Sequence, residues 1–272
     1  MVMFIMVNFM ILREYQTKAI EDVRQAFRKH KRVILTAPTG SGKTLVALTI
    51  VKAALEKGKR IGFICDRLTL LDQTANVMET AGIDFGIIQA DNFYTDYSKQ
   101  FQICSAQTLA KRKDINDFDF VIIDEAHIMF KHQMNMLKNC NGTYFLGLTA
   151  TPFTKGLGKY WDHLVTGPGL RELTKEGFLS EYVAYGPSKP DLKGVRIVAG
   201  DYNKKDLAKK TNTTKLVGDI VSHWFDFARD RQTIAMAVNV AHAEHIAEEF
   251  KKRNIKADVI HCYLDRSEVQ RI

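Results

Sequence analysis

Apolar residues recur every three or four positions from Leu12 onward, at Tyr15, Ala19, Ile20, Val23, Ala26 and Phe27, which predicts a helix with one buried stripe. The spacing then changes. RVILTAP (32–38) is a short β-branched run that stops at a glycine-rich turn, and TLVALTIVKAALEKG (44–58) reads as a helix closed by Gly58. Apolar runs at 60–66, 101–112, 119–127 and 142–152 predict four more strands, the second followed by a turn of helix, and 68–82 predicts a helix stopped by Gly82. These runs are apolar at nearly every position, as in strands buried on both faces. Alternated with helices, they imply an α/β fold whose parallel sheet is covered on both sides.

Beyond Tyr185 the pattern breaks. Residues 186–215 hold two of the five prolines and many Lys, Asp and Thr, and read as a linker with local structure. A helix over 216–230, a buried strand over 232–240, an amphipathic helix over 241–254 and a strand over 256–262 then begin a second α/β pattern. Two strands cannot make a covered parallel sheet, so this second domain, 216–272, is expected to be incomplete. The first domain is expected over 1–185.

Composition narrows the class. With 46% apolar, 26% charged and 10% aromatic residues, and only 17 Gly among 272 residues, the chain is globular, and disordered or collagen-like states are excluded. The net charge of +8 divides evenly, four on each side of Tyr185, so any polyanion-binding surface must be made by folding. Cys65, Cys104, Cys140 and Cys262 are far apart, with neither zinc spacing nor a disulfide framework, which points to a reducing, cytoplasmic compartment. The apolar residues 1–12 lack a basic leader and a cleavage site and fall short of the ~20 residues needed to span a bilayer. They are expected to be a short strand, or to precede a start at Met10. No membrane partner is expected.

The strongest local chemistry is APTGSGKT (37–44), between a predicted strand and a predicted helix. In such a loop the backbone amides of Pro38-following residues Thr39, Gly40, Ser41 and Gly42 turn inward around phosphate oxygens, aided by the positive end of the helix. Lys43 then reaches the β- and γ-phosphates, and the Thr44 hydroxyl suits Mg²⁺. Ala37 stands where the full pattern has glycine. VIIDEAH (121–127) follows 80 residues after the loop. A carboxylate at a strand's C-terminal edge is where Mg²⁺ takes a second protein contact, which suits Asp124, and Glu125 is placed to orient or deprotonate water in an in-line phosphoryl transfer.

The ordered set LREYQ (12–16), APTGSGKT, ICDRLTLLDQ (64–73), CSAQTL (104–109), DEAH (124–127) and GLTATP (147–152) resembles the serial motifs of superfamily 2 helicases and translocases, in the branch of DNA-repair, restriction and phage-type DEAH-box motors. The resemblance runs from Met10 to the end. It implies a RecA-like ATP-binding domain followed by a partial second RecA-like domain, with ATP and Mg²⁺ as cofactors and nucleic acid, DNA rather than RNA, as partner. It further implies that Gln16 reads the adenine edge, that Arg67, Ser105 and Gln107 hold one strand by its phosphate backbone, that Thr149 and Thr151 couple the nucleotide site to domain movement, and that His127 bridges towards the second domain. His242 and His245 have no third ligand and read as ordinary helix residues. Trp161, Phe178 and Tyr182 read as core residues rather than base-stacking ones.

Two departures from the resemblance bear on turnover. The second domain of such motors supplies arginines worth ~10³–10⁵ in rate in other NTPases, and neither Arg266 nor Arg271 sits in such a motif. Cys262 and Tyr263 replace small residues. Nucleotide binding with weak hydrolysis is therefore expected. The readings are an ATP-driven DNA helicase or translocase, or a nucleotide- and nucleic-acid-binding module without productive turnover; a small-molecule kinase would need neither DEAH nor TATP.

Overall fold

A computed structural model describes residues 11–66, 68–90, 95–111, 117–185, 190–198 and 201–272. The chain divides into two compact units, with the division between Tyr182 and Val183.

The first unit is built on seven parallel strands: β1 (Arg32–Thr36), β2 (Ile61–Cys65), β3 (Gly86–Ile88), β4 (Phe101–Ser105), β5 (Phe120–Ile123), β6 (Tyr144–Thr149) and β7 (His163–Thr166), in the order β3-β4-β2-β5-β6-β1-β7. Side chains alternate between two cores. Val33, Leu35, Phe63, Ile122 and Leu146 face α1 (Glu14–Phe27), α2 (Lys43–Leu55) and α3 (Leu68–Thr80). Ile34, Ile64, Val121 and Phe145 face α4 (Ala106–Lys111), α5 (Lys131–Asn139) and Trp161. The near-continuous apolar strand runs follow from this burial on both faces.

The expected α/β architecture is present, a parallel sheet covered by helices on both faces. The five strands anticipated from sequence are β1, β2, β4, β5 and β6. The two others, β3 and β7, are the sheet's edges; three and four residues long, they are too short for a periodic signal. The run at 119–127 stops being a strand at Ile123, because Glu125 adopts φ +48° and the Ala126 N–H turns to the Leu148 carbonyl at 2.9 Å. After β7, α6 (Leu170–Lys175) leads to an exposed stretch. Trp161 is buried, as expected, but Phe178 and Tyr182 are exposed, the latter by 65%, which corrects their reading as core residues.

The second unit has a small core of its own. α8 (Thr214–Phe227) and α9 (Val240–Lys252) pack through Val217, Val221, Ile246 and Phe250, with Trp224 edge-on to Phe250. The stretch read as a linker contains a two-stranded antiparallel hairpin, β8 (Ile197–Val198) and β9 (Asp201–Tyr202), and α7 (Lys204–Thr211). A short α10 (Arg266–Arg271) closes the unit. The strands expected at 232–240 and 256–262 are not formed: Ile234, Met236 and Ile260 are exposed, and Val240 opens α9. A strand exists only against a hydrogen-bonding neighbour. Among the described residues of this unit, β8–β9 is the only sheet.

Candidate functional site

Every strand of the first unit runs the same way, so their C-terminal ends lie along one edge of the sheet, where ligands of open α/β sheets bind. Along that edge stand Ser105 at the end of β4, Asp66 after β2, Asp124 and Glu125 after β5, Thr149 at the end of β6, and the loop 37–42 after β1. Residues separated by more than a hundred positions are thus aligned by parallel pairing alone.

The loop enters α2 through Gly42, whose φ of +81° is left-handed; a Cβ there would also fall 2.4 Å from Gln16 Nε2. The left-handed backbone calls for glycine, and any side chain there would push the Gln16 amide out of place. No side chain caps α2 and no acid lies in its first turn, so its leading amides and its positive end are left for an anion. Ser41 is buried with its hydroxyl lacking a hydrogen-bond partner among the described atoms. Its carbonyl accepts two bonds from α1, from Tyr15 Oη at 2.9 Å and from Gln16 Nε2 at 2.9 Å. Lys43 Nζ donates to the carbonyls of Ala37 at 3.0 Å and Pro38 at 3.2 Å. Thr39, Gly40 and Thr44 are exposed.

Lys43 and the acidic turn feel one another's charge. Burial pulls the Lys43 ammonium below its usual range, against the attraction of Glu125 and Asp124. Burial raises Asp124 above the usual carboxylate range, opposed by the N–H of Glu125, which donates to Asp124 Oδ1 at 3.0 Å, and by Lys43; Glu125 and Asp66 add to the rise. A half-buried carboxylate crowded by two others has the electrostatic character of a site completed by a cation. The donor set fits the Mg²⁺-nucleotide that the motifs imply: free helix amides and a lysine for phosphate, a hydroxyl and a carboxylate for the metal.

The turn is seated by an absence. At Gly147 in β6 a Cβ would lie 2.7 Å from Ala126 and 2.8 Å from Trp161, so only glycine lets the acidic turn rest on the sheet. The turn is then tied to β6. His127 Nδ1 lies 2.9 Å from Thr149 Oγ1 and 3.3 Å from Glu125 Oε2. The Thr149 hydroxyl also accepts the N–H of Thr151 at 3.0 Å, and its carbonyl accepts the N–H of Ala37 at 3.1 Å. Thr149 therefore touches the acidic turn through its side chain and the loop 37–42 through its backbone.

The structure thus brings together Gln16, the loop 37–44, Asp124, Glu125, His127, Thr149 and Thr151. Ser105 and Gln107 stand farther along the same edge, Ser105 buried and Gln107 exposed at the start of α4. Arg67 lies outside the described residues. His245 Nδ1 is bonded to Asn212 Oδ1 at 2.6 Å, and His242 Nδ1 accepts the N–H of Val238 at 3.4 Å. Sequence reasoning missed Tyr15, taken only as a helix-face residue, and Asp66, hidden beside Arg67. Two cavities of about 450 and 540 Å³, beside Tyr144 and beside Asp162, include none of the loop or the acidic turn in their walls.

Comparison with known proteins assigns a family. Residues 9–154, just over half of the chain, match the family described as "Type III restriction enzyme, res subunit". The chain belongs to that family. Its membership places it among superfamily 2 helicase-type proteins, the group its motifs resemble. This res-family chain is 26% identical over 232 residues to a "51.5 kDa protein" of a Lactococcus phage, covering 82% of the chain and 48% of the relative. It is 30% identical over 175 residues to "DNA 3'-5' translocase XPB2" of Sulfurisphaera tokodaii, covering 64% and 38%. The chain therefore spans about half, or less, of the length of these relatives. In fold it resembles a nuclease-deletion mutant of the Type ISP restriction-modification enzyme LlaGI, solved with a DNA substrate mimic, at a TM-score of 0.50 and 15% identity over 88% of this chain and 26% of that one. Among the described residues no helix is long and apolar enough to cross a membrane.

Proposed function

We propose that this chain is the ATP-binding and hydrolysing part of a nucleic-acid motor, a DNA helicase or translocase. The observation that carries the reading is the convergence of an uncapped, glycine-opened helix N-terminus, its lysine and a half-buried acidic turn on one edge of a parallel sheet. Membership of the res family supports the reading, and the relative named a DNA translocase favours DNA over RNA.

In this reading the amides of the loop and Lys43 bind the β- and γ-phosphates of ATP, and Lys43 leaves the Ala37 and Pro38 carbonyls to do so. Thr44 and Asp124 would hold Mg²⁺, which when bound neutralises charge on the phosphate oxygens. Glu125 orients the attacking water and takes its proton at a carboxylate oxygen, with His127 holding that carboxylate in place. Gln16 accepts the Arg13 N–H at its amide oxygen at 2.9 Å and gives one N–H to Ser41, which leaves one N–H and one lone pair for the adenine edge. Thr149 and Thr151 couple the site to movement of the second domain. Arg67, Ser105 and Gln107 grip the strand.

The test is ATP turnover with and without single-stranded DNA. The reading expects Lys43→Ala to lose nucleotide binding, and Glu125→Gln to keep binding while losing at least ~10² in turnover. Nucleotide and DNA binding without turnover by the unmodified chain would favour a non-hydrolysing module. Failure to bind adenine nucleotides with magnesium present would sink both readings.

A further inference from the structure

The run RKHKR (28–32), which joins α1 to β1, is basic at every position, and the nucleotide site uses none of it. The fold gathers most of the run into one wall. Lys29, His30, Lys31 and Arg32 all line the cavity of about 540 Å³ beside Asp162. Thr143 and Asp162, also in the wall, directly precede β6 and β7, and Arg32 opens β1. The cavity therefore lies where these parallel strands begin, on the edge of the sheet opposite the glycine loop. Arg32 and Ala37 are separated by about 17 Å of extended strand.

The wall carries an excess of positive charge. Asp162 is its one acid, against the cations Lys29, Lys31 and Arg32. That carboxylate is already engaged: it accepts the backbone N–H groups of Lys31 at 3.3 Å and Arg32 at 3.0 Å, and the Arg32 guanidinium through Nε at 3.0 Å and Nη2 at 2.7 Å. Arg32 Nη1 donates to the Leu137 carbonyl at 3.1 Å, so the fork is fixed in direction and still has N–H groups to give. Lys31 Nζ donates to the Asn141 carbonyl at 2.6 Å, a neutral acceptor that leaves its charge standing. Lys29 is exposed and has no acidic partner among the described residues; nor have Lys138 and Lys159, which adjoin the wall residues Leu137 and Gly158 in sequence. The cavity of about 450 Å³ beside Tyr144 differs. Phe27, Ile50 and Phe120 lie in its wall, and its cations are offset by Glu56 and Asp119.

A concave polar surface with unneutralised ammonium groups and an oriented guanidinium suits a phosphate, which both cations hold by charge-assisted hydrogen bonds. Its volume falls within the ~300–1,000 Å³ of sites that take a small molecule. We propose that this cavity is a second phosphate-binding site, with Lys29, Lys31 and Arg32 as its cations and Asp162 as the group that orients the arginine. The same chemistry serves a free phosphorylated small molecule and a phosphate of a nucleic-acid backbone, and the test separates the two sources. The site goes beyond the nucleotide reading and does not depend on it.

Two titrations make the test. Inorganic pyrophosphate is titrated calorimetrically into the whole chain carrying Lys43→Ala, which takes the lysine of the glycine loop out of the signal. A labelled DNA duplex is titrated by fluorescence anisotropy into the chain with Lys43 intact, across a salt series. Lys29→Glu is expected to weaken the ligand that the site takes by about 10-fold or more, and Lys29→Arg to stay within about twofold. Lys29 lies outside any helix or strand, so the reversal spares the fold. Lys57→Glu, at an exposed lysine of the other cavity, makes the same change in net charge and is expected to stay within about twofold. Weakened pyrophosphate binding supports the site and assigns it a free ligand. Weakened duplex binding alone, with the salt slope lowered by about 0.9, supports it and assigns a backbone phosphate. Affinities within about twofold for both ligands in Lys29→Glu overturn the site. An equal loss in Lys57→Glu also overturns it, because the effect is then one of overall charge, as does binding of neither ligand before Lys29 is changed. Adenine-nucleotide binding by the chain with Lys43 intact is measured separately, so this site and the motor reading fail independently.

Discussion

RVILT in β1 and TIAMA at 233–237 are both apolar and both compatible with a strand, yet they meet opposite fates. Val33, Ile34 and Leu35 are at most 2% exposed, paired to β6 on one side and β7 on the other. Ile234 and Met236 are more than 80% exposed and pair with nothing in the described structure. The difference lies in what surrounds each run. The first unit has six other strands to satisfy backbone groups and two helical layers to cover side chains, whereas the second has one packed helix pair. Strand formation is a property of the neighbourhood, and a lone apolar run does not possess it.

That contrast implies that the units melt separately, which the largest expected effect tests. Phe63→Ala, in the sheet core, should cost the first unit about 3–5 kcal/mol, and Phe250→Ala should lower only the transition of the second. Calorimetry showing both transitions moving together in either variant would refute the separation. Next, Gly147→Val inserts side-chain atoms where a Cβ alone already meets Ala126 and Trp161. It should cost about 1–3 kcal/mol in the first unit and displace the acidic turn, so that nucleotide-dependent turnover falls further than stability does. Unchanged turnover would show that the turn does not need this seat.

Thr149→Val keeps the shape but removes the hydroxyl shared by His127 and Thr151, for about 1 kcal/mol. DNA stimulation of ATP turnover should fall while basal turnover holds; loss of both in proportion would argue against coupling. The smallest effect belongs to Asp124→Asn. Burial raises this carboxyl above its ordinary 3.8, so the fold disfavours its ionised form, a cost fully present above the raised value and gone below 3.8. The variant should therefore melt higher at neutral pH, by no more than about 4 °C, with the gain vanishing on acidification. A gain that grows as pH falls would reverse the assignment.

Much of the site was legible because its parts are local: a glycine loop before a helix and two acids after a strand are written in consecutive residues. α1 was legible for the same reason, its apolar stripe from Tyr15 to Phe27 matching Glu14–Phe27. What joins these parts was not. The bond from Tyr15 to Ser41 crosses 26 positions and that from His127 to Thr149 crosses 22, and no periodicity signals either. β3 and β7 escaped notice because edge strands of three and four residues carry little pattern. The runs at 232–240 and 256–262 misled for the opposite reason, since their composition is strand-like and only the absent neighbours decide against them. The ring contact of Tyr185 with Phe227 joins residues 42 positions apart, which no periodicity signals.

The Ser41 carbonyl, with both lone pairs occupied, fastens the glycine loop to α1 at two adjacent side chains. Any shift of this loop has to break these bonds or move the two side chains that make them. α1 is a rigid rod about 21 Å long, and its far end is Phe27, wedged edge-on against Phe120 and Tyr144. One helix thereby joins the loop at one rim of the sheet to the ring packing at the opposite rim.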